Sequence, residues 1–180
     1  MMNRWIIAAA MAATACAAYA GTPPVLPSIA ASGYQLGPGD QLRIYVSGMD
    51  AMNNTYFVDD TGQIALPMLP PVPVAGKTIR EAEAAIASQI RQRQLVLEPQ
   101  VSAQIQAYRP FFIAGEVQRP GQYPFVPGMS LMTAVSIAGG YTFRANTKTA
   151  TVTRASVKGS ASQDTQIQPG DVIVVRESWF

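Results

Sequence analysis

The side chains able to do chemistry in this 180-residue chain are few: it has no histidine and one cysteine, Cys16. An imidazole base is therefore ruled out, and a zinc or iron site lacks its usual ligands. Asp59-Asp60 is the only adjacent pair of carboxylates. Neighbours on a strand face opposite sides, whereas glycosidase chemistry needs two carboxyl groups flanking one bond. Placed just before Gly62, the pair reads as a solvated turn. No GxxxxGK loop is present to cradle a nucleotide's phosphates. The expectation is a protein with no catalytic residues, no cofactor and no metal.

Two other residue classes could meet a ligand. A flat aromatic ring suits the apolar face of a pyranose, and the candidates are Tyr108, Phe111, Tyr123, Phe125, Tyr141, Phe143, Trp179 and Phe180. Core and subunit contacts use the same residues. Trp179-Phe180 differ from the rest, because a terminal pair is poorly placed for its own core and reads as a docking pair for a partner. Six cations (Arg109, Arg119, Arg144, Lys148, Arg154 and Lys158) share 109–158 with one acid, Glu116. They form either a solvated basic face or a surface for an acidic polymer. Across the chain 13 basic residues meet 11 acidic ones, which leaves no electrostatic footprint for nucleic acid.

Arg4, the apolar run Trp5 to Ala15 and the small-x-small Ala18-Tyr19-Ala20 have the order of a secretory leader. The run is about half the ~20 residues needed to span a bilayer. Cleavage after Ala20 is the expectation, with an uncleaved anchor as its competitor. Lipidation at Cys16 is the third option, although Ala13-Thr14-Ala15 lacks the large aliphatic residue that usually precedes a lipidated cysteine. Removing the leader leaves 160 of the 180 residues, with 12 basic residues against 11 acidic ones because Arg4 departs. A chain of that size folds as one ordinary domain or two small ones, without disulfides.

Residues 21–33, rich in Pro, Ser, Ala and Gly, read as an extended arm. Leu42, Ile44 and Val46 alternate with Arg43 and Tyr45, the period of a half-buried strand. Turn signals at 53–54 and 59–62 bracket a β-prone stretch, 55–58, that suggests a hairpin continuing into 63–66. Four prolines between 67 and 73 confine that segment to a loop or sheet edge. Thr78-Ile79-Arg80-Glu81 forms a capping box, followed by a helical stripe of Ile79, Ala82, Ile86 and Ile90. Strands are expected at 101–107 and 111–117, and Ser130 caps a short helix that ends at Gly139-Gly140. A strand at 149–154, a Gly/Ser-rich loop at 159–162 and a strand at 172–175 complete the pattern. The sum is an α+β chain of two units, each mostly strands with one helix, divided near 100–110.

Pro-Gly-Asp occurs at 38–40 and again at 169–171, each time leading into a strand. The triplet alone explains itself as turn chemistry. The ordered set is more specific: YQLGPGDQLRIYV at 34–46, DDTGQIALPML, VAGKTIREAEAAI, AGEVQRPGQYPF, LMTAVSIAGG and IQPGDVIVV. Together these segments resemble the bacterial outer-membrane polysaccharide export family. The resemblance implies a small export domain at 34–107, with a mixed sheet and one helix. A soluble-ligand-binding β-grasp domain at 108–180 follows, after the 1–20 leader and the 21–33 arm. Its motif positions here are Gly37, Pro38, Gly39, Asp40, Gly115, Glu116, Pro120, Gly121, Gly139, Gly140, Pro169, Gly170 and Asp171. They read as backbone and turn residues rather than ligand contacts, with interprotomer pairing a further option for Glu116.

The resemblance also implies a function. Members form periplasmic rings, often of eight copies, that pass capsular or secreted polysaccharide outward and partner an inner-membrane co-polymerase. Larger members add β-grasp domains, a lipidated N-terminus and a C-terminal membrane helix. This sequence has one β-grasp unit, a poor lipidation signal and the ending VIVVRESWF. The expectation is a short periplasmic ring that needs a separate outer-membrane channel protein, on which Trp179 and Phe180 could dock. The competing reading is a monomeric ligand-binding module of the envelope.

Overall fold

A computed structural model describes residues 33–178. The leader with Cys16, the arm up to residue 32, and Trp179-Phe180 lie outside the described residues.

Alternation builds the first sheet. In β1 (Gln41–Val46) the residues Leu42, Ile44 and Val46 are buried and their neighbours are not. A 3-10 turn, Asp50–Met52, returns the chain to β2 (Asn54–Phe57), which pairs antiparallel with β1. The turn is held by the Asn53 side chain, which accepts from the Val46 backbone N–H at 2.7 Å. The hairpin expected between 55–58 and 63–66 is thus replaced by two separate pairings. β3 (Gln63–Ile64) pairs instead with β4 (Val72–Pro73), the proline-rich edge segment. Asp59 explains the divergence. Its carboxylate accepts from the Thr61 hydroxyl and the Gln63 N–H, closing a turn that sends the chain to a different sheet.

Helix α1 (Ile79–Gln92) begins with the capping box as expected, Thr78 and Glu81 each bonding the other's backbone. Such a cap contributes about 1 kcal/mol. Ala82, Ile86 and Ile90 are fully buried against β1, β3 and β4 residues in one core. β5 (Val101–Ala107) lies on the other side of β1 at the sheet edge. There Glu83 of α1 accepts from the Ala103 N–H at 2.7 Å, so a helix side chain covers part of an exposed edge.

The second unit holds a five-stranded sheet in the order β7-β6-β10-β8-β9, with α2 (Leu131–Ile137) contributing to a separate core. Its strands are β6 (Phe111–Gly115), β7 (Gly121–Tyr123), β8 (Thr149–Arg154), β9 (Val157–Ser162) and β10 (Val172–Val175). β6 and β10 run parallel, and all other pairings are antiparallel. The α+β class holds. Within it the mixed pairing falls in the second unit, and the sheets of the first are antiparallel throughout.

A further segment departs from the sequence reading. Residues 159–162, expected as a Gly/Ser-rich loop, belong to β9, paired along its length with β8. The turn lies earlier, at Ala155, whose φ is +52°. Gly159 and Ala161 are buried, opposite Val152 and Ala150, so small size serves packing there rather than looseness.

Candidate functional site

The two cores meet where β5 passes into β6, and the two Pro-Gly-Asp turns flank that passage. They share one local geometry. Proline occupies the second position and glycine the third, with φ of +91° at Gly39 and +84° at Gly170, the arrangement of a type II turn. In each, the aspartate N–H donates to the carbonyl three residues back, Gly37 or Gln168. In each, the carboxylate also accepts from that residue's N–H at 2.8 Å. Both aspartates are fully buried, and each meets an arginine.

Arg109 belongs to both turns. Its backbone N–H donates to Asp40 at 2.8 Å and its Nη1 lies 3.4 Å from the same carboxylate. Its Nε donates to the Pro169 carbonyl of the second turn at 3.0 Å. Gly170 in turn donates its N–H to the Pro110 carbonyl. The arginine fits because three motif glycines leave room for it. A methyl group at Gly37 would come within 2.0 Å of its guanidinium, one at Gly170 within 2.9 Å of its Nε, and one at Gly39 within 3.4 Å of its Cβ. The repeated motif therefore makes two halves of one clamp. Asp171 is engaged separately by Arg154, which reaches both carboxylate oxygens at 2.8 and 3.0 Å.

Tyr34 closes the clamp. Its hydroxyl donates to Asp40 at 2.7–2.8 Å, and the Arg109 guanidinium stands 5.7 Å from its ring centre. Burial first, then the hydrogen bond to Asp40 and that group's charge, push the Tyr34 pKa well above its ordinary value of 10.0. A group whose folded pKa is raised stabilises fully below its unfolded pKa and loses that contribution as pH climbs beyond it. The wild type is accordingly expected to lose stability above about pH 10 more steeply than Tyr34→Phe. At pH 7 the variant should be the less stable by about 1.5 kcal/mol, having lost a hydrogen bond to a charged acceptor. Urea unfolding at pH 7 and at alkaline pH measures both effects.

Beside the clamp opens a cleft of about 320 Å³. Three rings form one wall. Tyr34 meets Tyr108 edge to face at 5.0 Å, and Tyr108 meets Phe125 likewise at 5.5 Å. The segment before the second turn, with Thr165, Gln166 and Gln168, also lines it. Of the aromatics singled out from sequence, Tyr108 and Phe125 come together here. Phe111 is buried and stacks on Tyr123, Tyr141 packs at the edge of that core, and Phe143 is exposed.

The remaining motif residues lie elsewhere in the second unit. Gly115 ends β6, Pro120 precedes β7 and Gly121 opens it, and Gly139-Gly140 follow α2. The Glu116 carboxylate accepts from the Thr142 hydroxyl, tying the end of β6 to the segment after α2. Asp59 is fixed in its turn, and among the described residues no cluster of ligating side chains could hold a metal ion. Of the six cations in 109–158, Arg109, Arg144 and Arg154 pair with Asp40, Glu177 and Asp171. Those pairs occupy three of the six cations that suggested an acidic polymer. Arg109 itself stood out in the sequence only as one of six cations.

Comparison with known proteins gives a consistent frame. Residues 28–106 match the family described as polysaccharide biosynthesis/export protein, and residues 110–165 match the SLBB domain. The chain is 33% identical over 135 residues to the exopolysaccharide production protein ExoF of Rhizobium meliloti (strain 1021), covering 64% of this chain and 32% of that protein. It is 31% and 30% identical over 111 residues to two polysialic acid transport proteins KpsD of Escherichia coli, covering 59% of this chain and 19% of each. It thus spans about a third of the first relative and about a fifth of the other two. Among the described residues no helix is long and apolar enough to cross a membrane. Both family matches fall in order on the two cores that Arg109 joins, so the chain couples a polysaccharide biosynthesis/export region to an SLBB domain.

Proposed function

We propose that this protein is a non-catalytic, ring-forming component of an exopolysaccharide or capsule export conduit in the periplasm. The observation that carries the reading is the tandem itself: an export unit and a ligand-binding unit, locked together by Arg109 between two matching turns. A rigid two-part subunit suits repeated head-to-tail packing, in which a fixed rotation closes a circle. The names of the relatives, exopolysaccharide production and polysialic acid transport, support a polymer as cargo. In this reading the units are 34–107 and 108–180, and the leader is removed after Ala20. The ring receives polymer from an inner-membrane co-polymerase and hands it to a separate outer-membrane channel protein, with Trp179 and Phe180 as the docking pair. Energy for movement comes from those partners.

Deleting the gene and locating the polymer tests the proposal. Loss of extracellular polymer with intact upstream synthesis is the expected result, and unchanged secretion would refute it. Native mass spectrometry of the processed chain, alone and with envelope partners, tests ring formation. The cleft beside the clamp favours one alternative, a monomeric ligand-binding module of the envelope. A persistent single copy with a saturable small ligand would favour that alternative.

A further inference from the structure

We propose that the cleft between the two units is a binding subsite for one or two uncharged pyranose residues of a glycan chain. The proposal deepens the export reading and rests on it for the source of the glycan. At about 320 Å³ the cleft sits at the lower end of the roughly 300–1,000 Å³ typical of small-ligand pockets. That is room for a sugar unit or two, not for a protein segment.

Its walls match the two kinds of surface that a pyranose presents. Tyr34, Tyr108 and Phe125 supply a continuous half-buried aromatic wall for the C–H face of the ring. Gln166, also in the lining, supplies an amide able to donate to and accept from ring hydroxyls. Among the described residues nothing hydrogen-bonds the Tyr108 hydroxyl, which leaves that polar group for a ligand.

Charge selects the class of sugar. Arg154 borders the cleft, but both oxygens of Asp171 already engage its guanidinium, and that carboxylate is buried. Arg109, alongside, is bound to Asp40 and Pro169. The charge of each cation is already met by a buried carboxylate, so a uronate or sialate gains less from them than from an unpaired cation. A neutral sugar needs neither cation. The cations Lys158 and Arg176 line a different groove, with Glu177, at the β8–β9 end of the sheet. The cleft is thus the more neutral of these two grooves.

The test is amide-resolved NMR titration of the full chain with neutral gluco-, galacto- and manno-tetrasaccharides, with tetragalacturonate and with the free monosaccharides. At least one neutral tetramer is expected to shift Tyr108, Phe125 and Gln166, with weak affinity on the order of 1 mM. Tyr108→Ala should weaken it about tenfold. Gln166→Ala, at an exposed position that does not threaten the fold, should weaken it about threefold. Absence of shifts with every neutral tetramer overturns the proposal, as does equal binding of the uronate, perturbation centred on Lys158 and Arg176, or a monosaccharide binding as well as its tetramer. None of these outcomes touches the export reading, which the deletion strain tests separately.

Discussion

Asp40→Ala is expected to destabilise the protein by about 3–5 kcal/mol, the cost of removing one partner from a buried charged network. The carboxylate is fully buried and accepts from the Tyr34 hydroxyl, the Gly37 N–H, and both the backbone and the side chain of Arg109. Alanine leaves these donors facing an apolar methyl, with the guanidinium deprived of its counter-charge. Asp40→Asn keeps one acceptor oxygen and should fall between alanine and wild type. The loss is measured as a fall in the urea midpoint without a change in slope. Arg109→Met in the Asp40→Ala background should cost much less than in the wild type, because the two residues share one network. A loss below about 1 kcal/mol for Asp40→Ala would mean that the clamp is solvated and carries little stability.

Gly115→Ala should cost about 3 kcal/mol, for a reason unrelated to charge. Gly115 sits at φ +86°, where side chains are strained, and a Cβ there would lie 2.0 Å from the Val175 carbonyl oxygen. That oxygen is backbone in the parallel β6–β10 pair and accepts the Glu116 N–H. It cannot swing aside as a side chain could, so alanine has to separate the two central strands. Gly121→Ala is the internal control. Its added methyl meets nothing nearer than 3.9 Å and its backbone is ordinary, so a change within about 0.5 kcal/mol is expected. Thermal or urea unfolding of the two variants side by side measures the contrast, and equal losses would remove the steric explanation.

The elements most legible in the sequence were those with a strict period and a chemical boundary. β1 reads from Leu42, Ile44 and Val46, and α1 from Thr78, Glu81 and the stripe behind them, because burial enforces the spacing and the cap marks the start. β9 was hidden because Gly159 and Ala161, its inward residues, are small, and small residues carry no apolar period. β2 and β3 were each recognisable as extended, but their partners were not, since pairing depends on where the Asp59 turn aims the chain. The site was half visible. Both Pro-Gly-Asp turns stood out, yet the residue that unites them lies 69 positions from one and 60 from the other. Local chemistry does not specify contacts at that distance; only the topology of the two sheets does.

The snug channel that three glycines make for Arg109 has a consequence for building in multiples. Angular error at a joint inside a repeating subunit recurs in every copy and accumulates around the circumference. A hinge loose by a few degrees would leave a circle unable to shut. In the proposed ring, one side chain threaded through both turns would set that angle by atomic contact, before any two copies meet.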